Sequence, residues 1–305
     1  MTIIVFLIVH KIPGDPISVQ LARQPDPVIR ERLEAFYGLN RPLPAQYASW
    51  LGDVVTGDFG VSIASGRDVS DAVFERLPRT LFLMAGGLFV SLVVAVPAGM
   101  LAGGRAGSWR DRGLSTGALA LMSIPEFWLG NLLVLAFSVK LGWFPTGGYV
   151  EPGDDPLGFV RLLVLPSLAV GASLCGLTMR TFRASMAETM RQEYIVLAAS
   201  QGASRSRIVA RHAARNALTP SITLVGLQVG YLLGGAIISE KVFSYPGLGL
   251  LVIDAVNARD YPMIQGALLL FALTFVLVNL AVDILVMYLE PRQRRPIALA
   301  GGARP

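Results

Sequence analysis

Two carboxylates lie inside otherwise apolar runs, Glu126 and Asp283. An acid in hydrocarbon is expensive unless it is paired or faces water, so such residues bind cations, relay protons or make a structural hydrogen bond. Glu126 follows Pro125, whose missing N–H frees a carbonyl and bends a helix. It could therefore face an aqueous path and touch a cationic solute. Asp283 stands within two turns of Glu290, where a structural hydrogen bond or ion pair is the simpler reading. As ion relays the two would serve a secondary transporter, the alternative reading of this chain. The other reactive groups are isolated. His10 and His212 share no metal-ligand spacing with a cysteine or an acidic cluster, so no metal site is expected. The one cysteine, Cys175, sits in an apolar run as a small packed thiol. No nucleophile–base couple is visible, so the chain is not expected to be an enzyme. No Gly-x4-Gly-Lys-Ser/Thr loop occurs, so no cofactor is expected here and ATP chemistry belongs to another chain.

The basic residues carry a second message. Of the 26 Lys and Arg, 23 are Arg. They cluster at the ends of apolar runs and lack the interleaved aromatics of a nucleic-acid surface. The richest cluster is an acid-poor insert, Arg180 to Arg215, between the fourth and fifth long apolar runs if Met1–Val9 is counted. Met186, Met190, Tyr194 and Leu197 recur at helical steps and predict one apolar stripe. Gly202 interrupts it, and Ser204 is placed to cap a second helix running to Pro220. In that helix Arg207, Arg211 and Arg215 fall four apart on one face. A helix–Gly–helix hairpin flush with the membrane results. Spacing alone leaves open whether it is a docking surface or a loop with snorkelling arginines.

The elements that must hold these residues follow from composition. Of 305 residues, 53% are hydrophobic and 15% charged, against roughly 25% charged in soluble domains. The chain is expected to be an all-α integral membrane protein. Five stretches reach the ~20 helical residues needed to cross hydrocarbon: Thr80–Gly104, Leu114–Val139, Leu162–Met179, Leu218–Ser239 and Tyr261–Leu289. Met1–Val9 is apolar but too short to span, which predicts a first helix truncated in this chain (residues 1–12), as a late start codon would leave it. Six helices are then expected. Residues 13–79 form an extracytoplasmic segment with short helices at Val28–Tyr37, closed by Gly38, and at Leu43–Val55, an amphipathic interfacial helix with Tyr47 and Trp50. Residues 80–290 form a five-helix core containing a cytoplasmic loop, 182–220, and residues 291–305 form a frayed tail. The loop 105–112, the insert and the tail hold fourteen Lys and Arg, against four in 140–161 and 240–260, so the first group and the C-terminus are expected in the cytoplasm.

Small residues recur every four positions at Gly226, Gly230 and Gly234, and at Ala95, Gly99 and Gly103. Such stripes let helix backbones approach closely in lipid. Packing within the chain is one reading of the first stripe. A lining for a translocation path, or contact with a second permease, is the other.

In the insert, Glu193-Tyr194, Ala198, Gly202-Ala203-Ser204, Ile208, Arg211-His212, Arg215-Asn216-Ala217 and Pro220 resemble the cytoplasmic "EAA" loop of ABC-importer permeases, in the version of the dipeptide/oligopeptide/nickel branch. The chain departs from the general motif, with Val196-Leu197-Ala198 where Glu-Ala-Ala would stand and His212, Ala214 and Arg215 at the later Ile-x-Leu-Pro positions. The resemblance extends along nearly the whole chain. Pro13-Gly14-Asp15-Pro16, the stretch Tyr37 to Leu43, Gly57-Asp58-Phe59-Gly60, Arg76-Leu77-Pro78 with Thr80, Pro125 with Phe127 to Gly130, Glu240, the stretch Val242 to Gly249 and Arg259-Asp260-Tyr261-Pro262 occur in the family's order.

That resemblance implies a MetI-like permease fold and a bacterial inner-membrane protein. Its partners would be a second permease subunit, two cytoplasmic ATPases that bind ATP, membrane lipid, and a periplasmic or lipid-anchored solute-binding protein, with no nucleic acid. The cargo would be peptides or related small solutes such as nickel chelates. Glu193, Tyr194, Ala198, Gly202, Ala203, Arg207, Arg211, Arg215 and Pro220 would form the coupling loop, with Tyr194, Ala198 and Ala203 on the ATPase and the arginines anchoring the hairpin.

Overall fold

A computed structural model describes residues 2–11, 17 and 27–289, with side chains described for all but 8, 219–223, 225, 233, 286, 288 and 289. The Pro13–Pro16 motif, the tail 291–305 and the Pro220 side chain therefore lie outside the described residues.

The first part is a set of short helices: α1 (Thr2–Lys11), α2 (Pro27–Phe36) and α3 (Leu43–Val55). Gly38 reverses the chain after α2 with a φ of +67°, a conformation that glycine adopts at no steric expense. Helix α3 has the bounds expected of it and follows Pro42, whose φ of −58° and ψ of 142° are non-helical. An extended turn then docks on the far end of the chain: buried Asp260 accepts from Ser62 Oγ and, at 3.1 Å, from the Ile63 N–H.

The long helices follow. Helix α4 (Val69–Gly103) starts at Asp68, whose carboxylate accepts the Ser70 N–H at 2.7 Å, satisfying a donor that has no partner inside the helix. Helix α5 (Trp109–Ser123) is capped by Ser108, and α6 (Glu126–Leu133) runs on as a π-helix over Val134–Lys140. Helix α7 (Pro156–Thr189) is capped by Asp155 and carries Pro156 in its first turn. After the insert come α10 (Ala214–Val242), α11 (Leu248–Ala258) and α12 (Tyr261–Leu289); α8 and α9 belong to the insert. Three helical stretches are long and apolar enough to cross a membrane, Val69–Gly103, Pro156–Thr189 and Tyr261–Leu285, and the α5–α6 pair makes a fourth if it is one bent span.

Two of the expected spans take another form. Leu114–Val139 is not a straight helix: α5 and α6 meet at 97°. The cause is Pro125, which pushes Ile124 out of the helical region to a φ of −85° and ψ of 121°. The third span does not stop at Met179. Helix α7 continues ten residues further, so the start of the Arg-rich insert is the tip of a spanning helix.

The bundle is held by backbone proximity more than by large side chains. A Cβ on Gly99 would stand 2.9 Å from Met179 O, and one on Gly171 would stand 2.7 Å from Gly87 O. Helices α4 and α7 thus approach closely where a glycine of one meets main chain of the other, the arrangement that favours association in lipid. The stripe Ala95, Gly99, Gly103 is spent on this contact, beside Phe182 and Met186. Near the opposite end of α4, buried Glu240 accepts from Thr80 Oγ1 at 2.6 Å and from the Leu250 N–H at 2.8 Å. Two buried polar groups from distant motifs satisfy one another there.

Candidate coupling surface and path

The insert is a hairpin built on the tip of α7. Helix α8 (Glu193–Ser200) turns at Gly202, whose φ is +82°. The chain re-enters a helix as α9 (Arg205–Arg207), passes through a π-turn at Ile208–Ala213, and continues without interruption into α10. The expected single apolar stripe is therefore divided. Met186 is buried in α7, while Tyr194 and Leu197 stand on α8 beyond a break after Met190. Ser204 holds the expected position but its side chain makes no cap bond; it lies 3.3 Å from Ser206 Oγ instead. The second helix does not end at Pro220, which lies within α10.

Ile195 and Ile208 anchor the hairpin by packing with Phe182, Met186, Ala213, Ala214 and Ala217. Ala198 and Ala203 are half-buried against the same cluster, so part of each side chain packs within the hairpin. The outward apolar surface of α8 is made by Val196 and Leu197, 63% and 58% exposed, with Tyr194 at 41%. Sequence reasoning missed Val196 and Leu197. The signal was there: a short helix with Ile195 and Ala198 inward must turn 196 and 197 outward. Tyr194 Oη accepts from Asn216 Nδ2 at 2.7 Å, closing the hairpin across its mouth. Glu193, Arg207, Arg211 and Arg215 are exposed. The π-turn intervenes between Arg207 and Arg215, so the even four-residue spacing does not give the single straight row expected of an α-helix.

Two further bonds tie the hairpin region to its surroundings. Arg205 Nη2 donates to Gly104 O at 3.0 Å, at the end of α4. Arg183, on the tip of α7, donates through Nε to Asp111 Oδ1 at 2.8 Å and through Nη2 to Oδ2 at 2.5 Å, joining α7 to the first turn of α5.

Helix α5 ends at the corner that carries Glu126. The half-buried Glu126 carboxylate accepts from Ser239 Oγ at 2.6 Å, and Gly235 of α10 lies close enough that a Cβ there would stand 3.3 Å from Oε2. Among the described residues no cation pairs with it. The three candidate path glycines separate. A side chain on Gly226 would meet Val282, and one on Gly230 would come within 2.8 Å of Phe275, both on α12. These two serve helix packing inside the chain, contrary to their assignment to a path. Gly234 faces open space. Asp283 is exposed and has no hydrogen bond or ion pair among the described residues, so the structural bond expected of it is not formed there.

At the end of the bundle away from the insert, Arg79 pairs with Glu75 at 2.9 Å and Glu151 at 2.8 Å, and stacks 4.6 Å from the centre of the Tyr149 ring. Tyr149 donates to Glu151 Oε2 at 2.9 Å, and Tyr245 donates to Arg79 O at 3.0 Å. Burial and the Glu151 carboxylate push the Tyr149 phenol above its ordinary value, keeping it a donor. This cluster joins the start of α4 to the connections on either side of α7 and α10.

Comparison with known proteins covers most of the chain. Residues 95–295 match the family described as "Binding-protein-dependent transport system inner membrane component", and residues 1–84 match its N-terminal companion, "Binding-prot-dependent transport system membrane comp, N-term". The glutathione transport system permease protein GsiC of Escherichia coli strain K12 is 39% identical over 294 residues, covering 96% of this chain and 94% of the relative. The same protein from Shigella flexneri serotype 5b is 39% identical over the same span. Two solved structures titled as inward-facing conformations of the MetNI methionine ABC transporter have the same fold, with TM-scores of 0.58 and 0.57 at 18% and 19% identity. Each covers 71% of this chain and 95% of the matched chain. The chain belongs to the binding-protein-dependent transport system inner membrane component family and is a multi-pass permease subunit of an ABC importer.

Proposed function

We propose that this permease forms half of a membrane path for peptides or related small solutes, nickel chelates among them, and that the hairpin of α8 and α9 is where a motor subunit grips it. The observation that carries the reading is the outward apolar face of α8. Tyr194, Val196 and Leu197 are exposed on a segment whose inward face is already packed against α7, and an apolar surface of this kind on a polar loop calls for a partner.

ATP binding and hydrolysis fall to two cytoplasmic ATPases, and this chain contributes no catalytic group. A second permease completes the path, and a periplasmic or lipid-anchored binding protein delivers the cargo. The insert and the C-terminus face the cytoplasm, in keeping with their excess of Arg. When the ATPases close, force on α8 passes through Ile195 to the tip of α7 and through the Arg183–Asp111 pair to α5. The far end of α5 is the corner that carries Glu126, which with Gly234 borders the path. Two arrangements of this lever, biased by ATP and by the loaded receptor, give access to alternate sides. The similarity to a glutathione permease favours peptide-like cargo.

The test is reconstitution of the chain with its partner permease and both ATPases in vesicles, with the binding protein outside. ATP-dependent accumulation of labelled glutathione or a dipeptide is the expected result. Uptake driven by an ion gradient without ATPases would overturn it, as would failure of the ATPases to bind the complex.

A further inference from the structure

A cavity of about 340 Å³ lies among α1, the α2–α3 turn, the stretch Asp58–Ile63 and the start of α12. None of its lining residues comes from α10 or the Glu126 corner, so it is separate from the proposed path. Its walls include Phe6, Trp50, Phe59 and Tyr261, with Phe6 and Trp50 in ring contact at 5.8 Å.

The polar groups around it are of two kinds: His10 and Gln46 bond to one another and to main chain, whereas, among the described residues, Gln265 and Trp50 do not. Gln265 is only 6% exposed and lines the cavity, yet its amide has no partner among the described residues. Trp50 Nε1 is buried with no acceptor among the described residues. Leaving a buried donor such as Trp50 Nε1 unpaired costs about 1–3 kcal/mol, which a bound acceptor would recover. The exposed Asp53 carboxylate borders the cavity from the solvent side, as does Asp58, whose Oδ1 accepts the Gly60 N–H at 2.8 Å. Arg41 adds one guanidinium to the lining.

These groups specify a ligand. Aromatic faces beside carboxylates select an organic ammonium. An indole N–H can only donate, so it requires an acceptor on the same molecule. A guanidinium suits a carboxylate or phosphate. Ligand pockets span about 300–1,000 Å³, and this one falls at the small end. We infer that the cavity binds a compact zwitterion, an ammonium beside an anionic acceptor on an apolar body, as in an aromatic α-amino acid. A phosphatidylethanolamine headgroup carries the same pair of charges.

The test is equilibrium binding and needs no transport, so its outcome is independent of the proposed function. The full chain with its partner subunits is placed in nanodiscs of phosphatidylglycerol, which lacks an amine, and titrated by calorimetry. Phenylalanine should bind saturably, with phenethylamine and 3-phenylpropionate, each lacking one of the two charges, weaker by roughly tenfold or more. Asp53→Asn and Gln265→Leu should each weaken phenylalanine binding by about the same factor in complexes that still assemble. Loss of phenylalanine binding when phosphatidylethanolamine is added would support the charge assignment and identify the lipid as occupant. No saturable binding of phenylalanine, or binding of phenethylamine or phenylpropionate as tight as that of phenylalanine, would overturn the inference. The series of probes on the unaltered protein decides this even where a variant fails to fold.

Discussion

Arg183 holds both Asp111 oxygens through one guanidinium edge, Nε and Nη2, and the two partners are unequally placed: 34% of the Arg183 side chain is exposed but only 4% of Asp111. Losing the arginine leaves a buried carboxylate with no counter-charge and, among the described residues, only the Gly107 N–H and Ser115 hydroxyl as donors. Losing the acid leaves a guanidinium that can turn to solvent. Arg183→Met should therefore be the more damaging change, by on the order of 3 kcal/mol, and Asp111→Leu on top of it should recover most of the loss. Thermal unfolding of the purified complex measures both, and equal damage from the two single changes would count against the asymmetry.

Gly202 sits at a φ of +82° with open space where a Cβ would go, so a substitution meets backbone strain and no clash. Asn tolerates this region and should preserve coupled ATP hydrolysis, while Val should lose about 1–2 kcal/mol of hairpin stability. Asp also tolerates the backbone but brings charge to the turn. Gly202→Asp should abolish transport and coupled hydrolysis in a complex that still reaches the membrane. Normal uptake by that variant would remove Gly202 from the coupling role.

On α8, adjacent residues should behave oppositely. Leu197→Glu alters an exposed side chain and should leave the permease folded while weakening ATPase binding by about 2 kcal/mol, roughly thirtyfold. Ile195→Glu places a charge in the cluster with Phe182 and Met186 and should prevent the permease from accumulating. Gel filtration of the permease with and without ATPases separates the two outcomes.

The glycines of α10 should be ranked by what faces them. Gly230→Val collides with Phe275 and should destabilise the α10–α12 contact by about 1–3 kcal/mol. Gly234→Ala enters open space and should change stability little. If Gly234→Ala proves as damaging as Gly230→Val, a partner outside this chain occupies that face.

Much of this arrangement was legible in the residue order. Apolar runs located the long helices because lipid allows a single segment no other hydrogen-bonded form. Gly202 announced its turn, and the bounds of α3 followed from Pro42 and the hydrophobic pattern. What escaped was of two kinds. Hydropathy averages over a window, so it joined α5 to α6 across Pro125 and ended the third span at Arg180, although a helix continues as readily in water as in lipid. Pairings across the fold leave no local trace: Arg183 with Asp111, or Thr80 with Glu240, are distant motifs that only packing unites. The inward turn of Ala198 and Ala203 was missed because small residues fit a docking face and a packed interior equally well.

The meeting of α4 and α7 constrains how any change of state can occur. Where Gly99 and Gly171 bring main chain against main chain, with Val90, Val170 and Phe182 interlocked alongside, one rod is hindered from sliding past the other. The two must therefore travel as one rigid body. Flexure is left to the Ser123–Pro125 corner, so distance probes on α4 and α7 should hold a constant separation through the cycle while a probe on α6 moves against both.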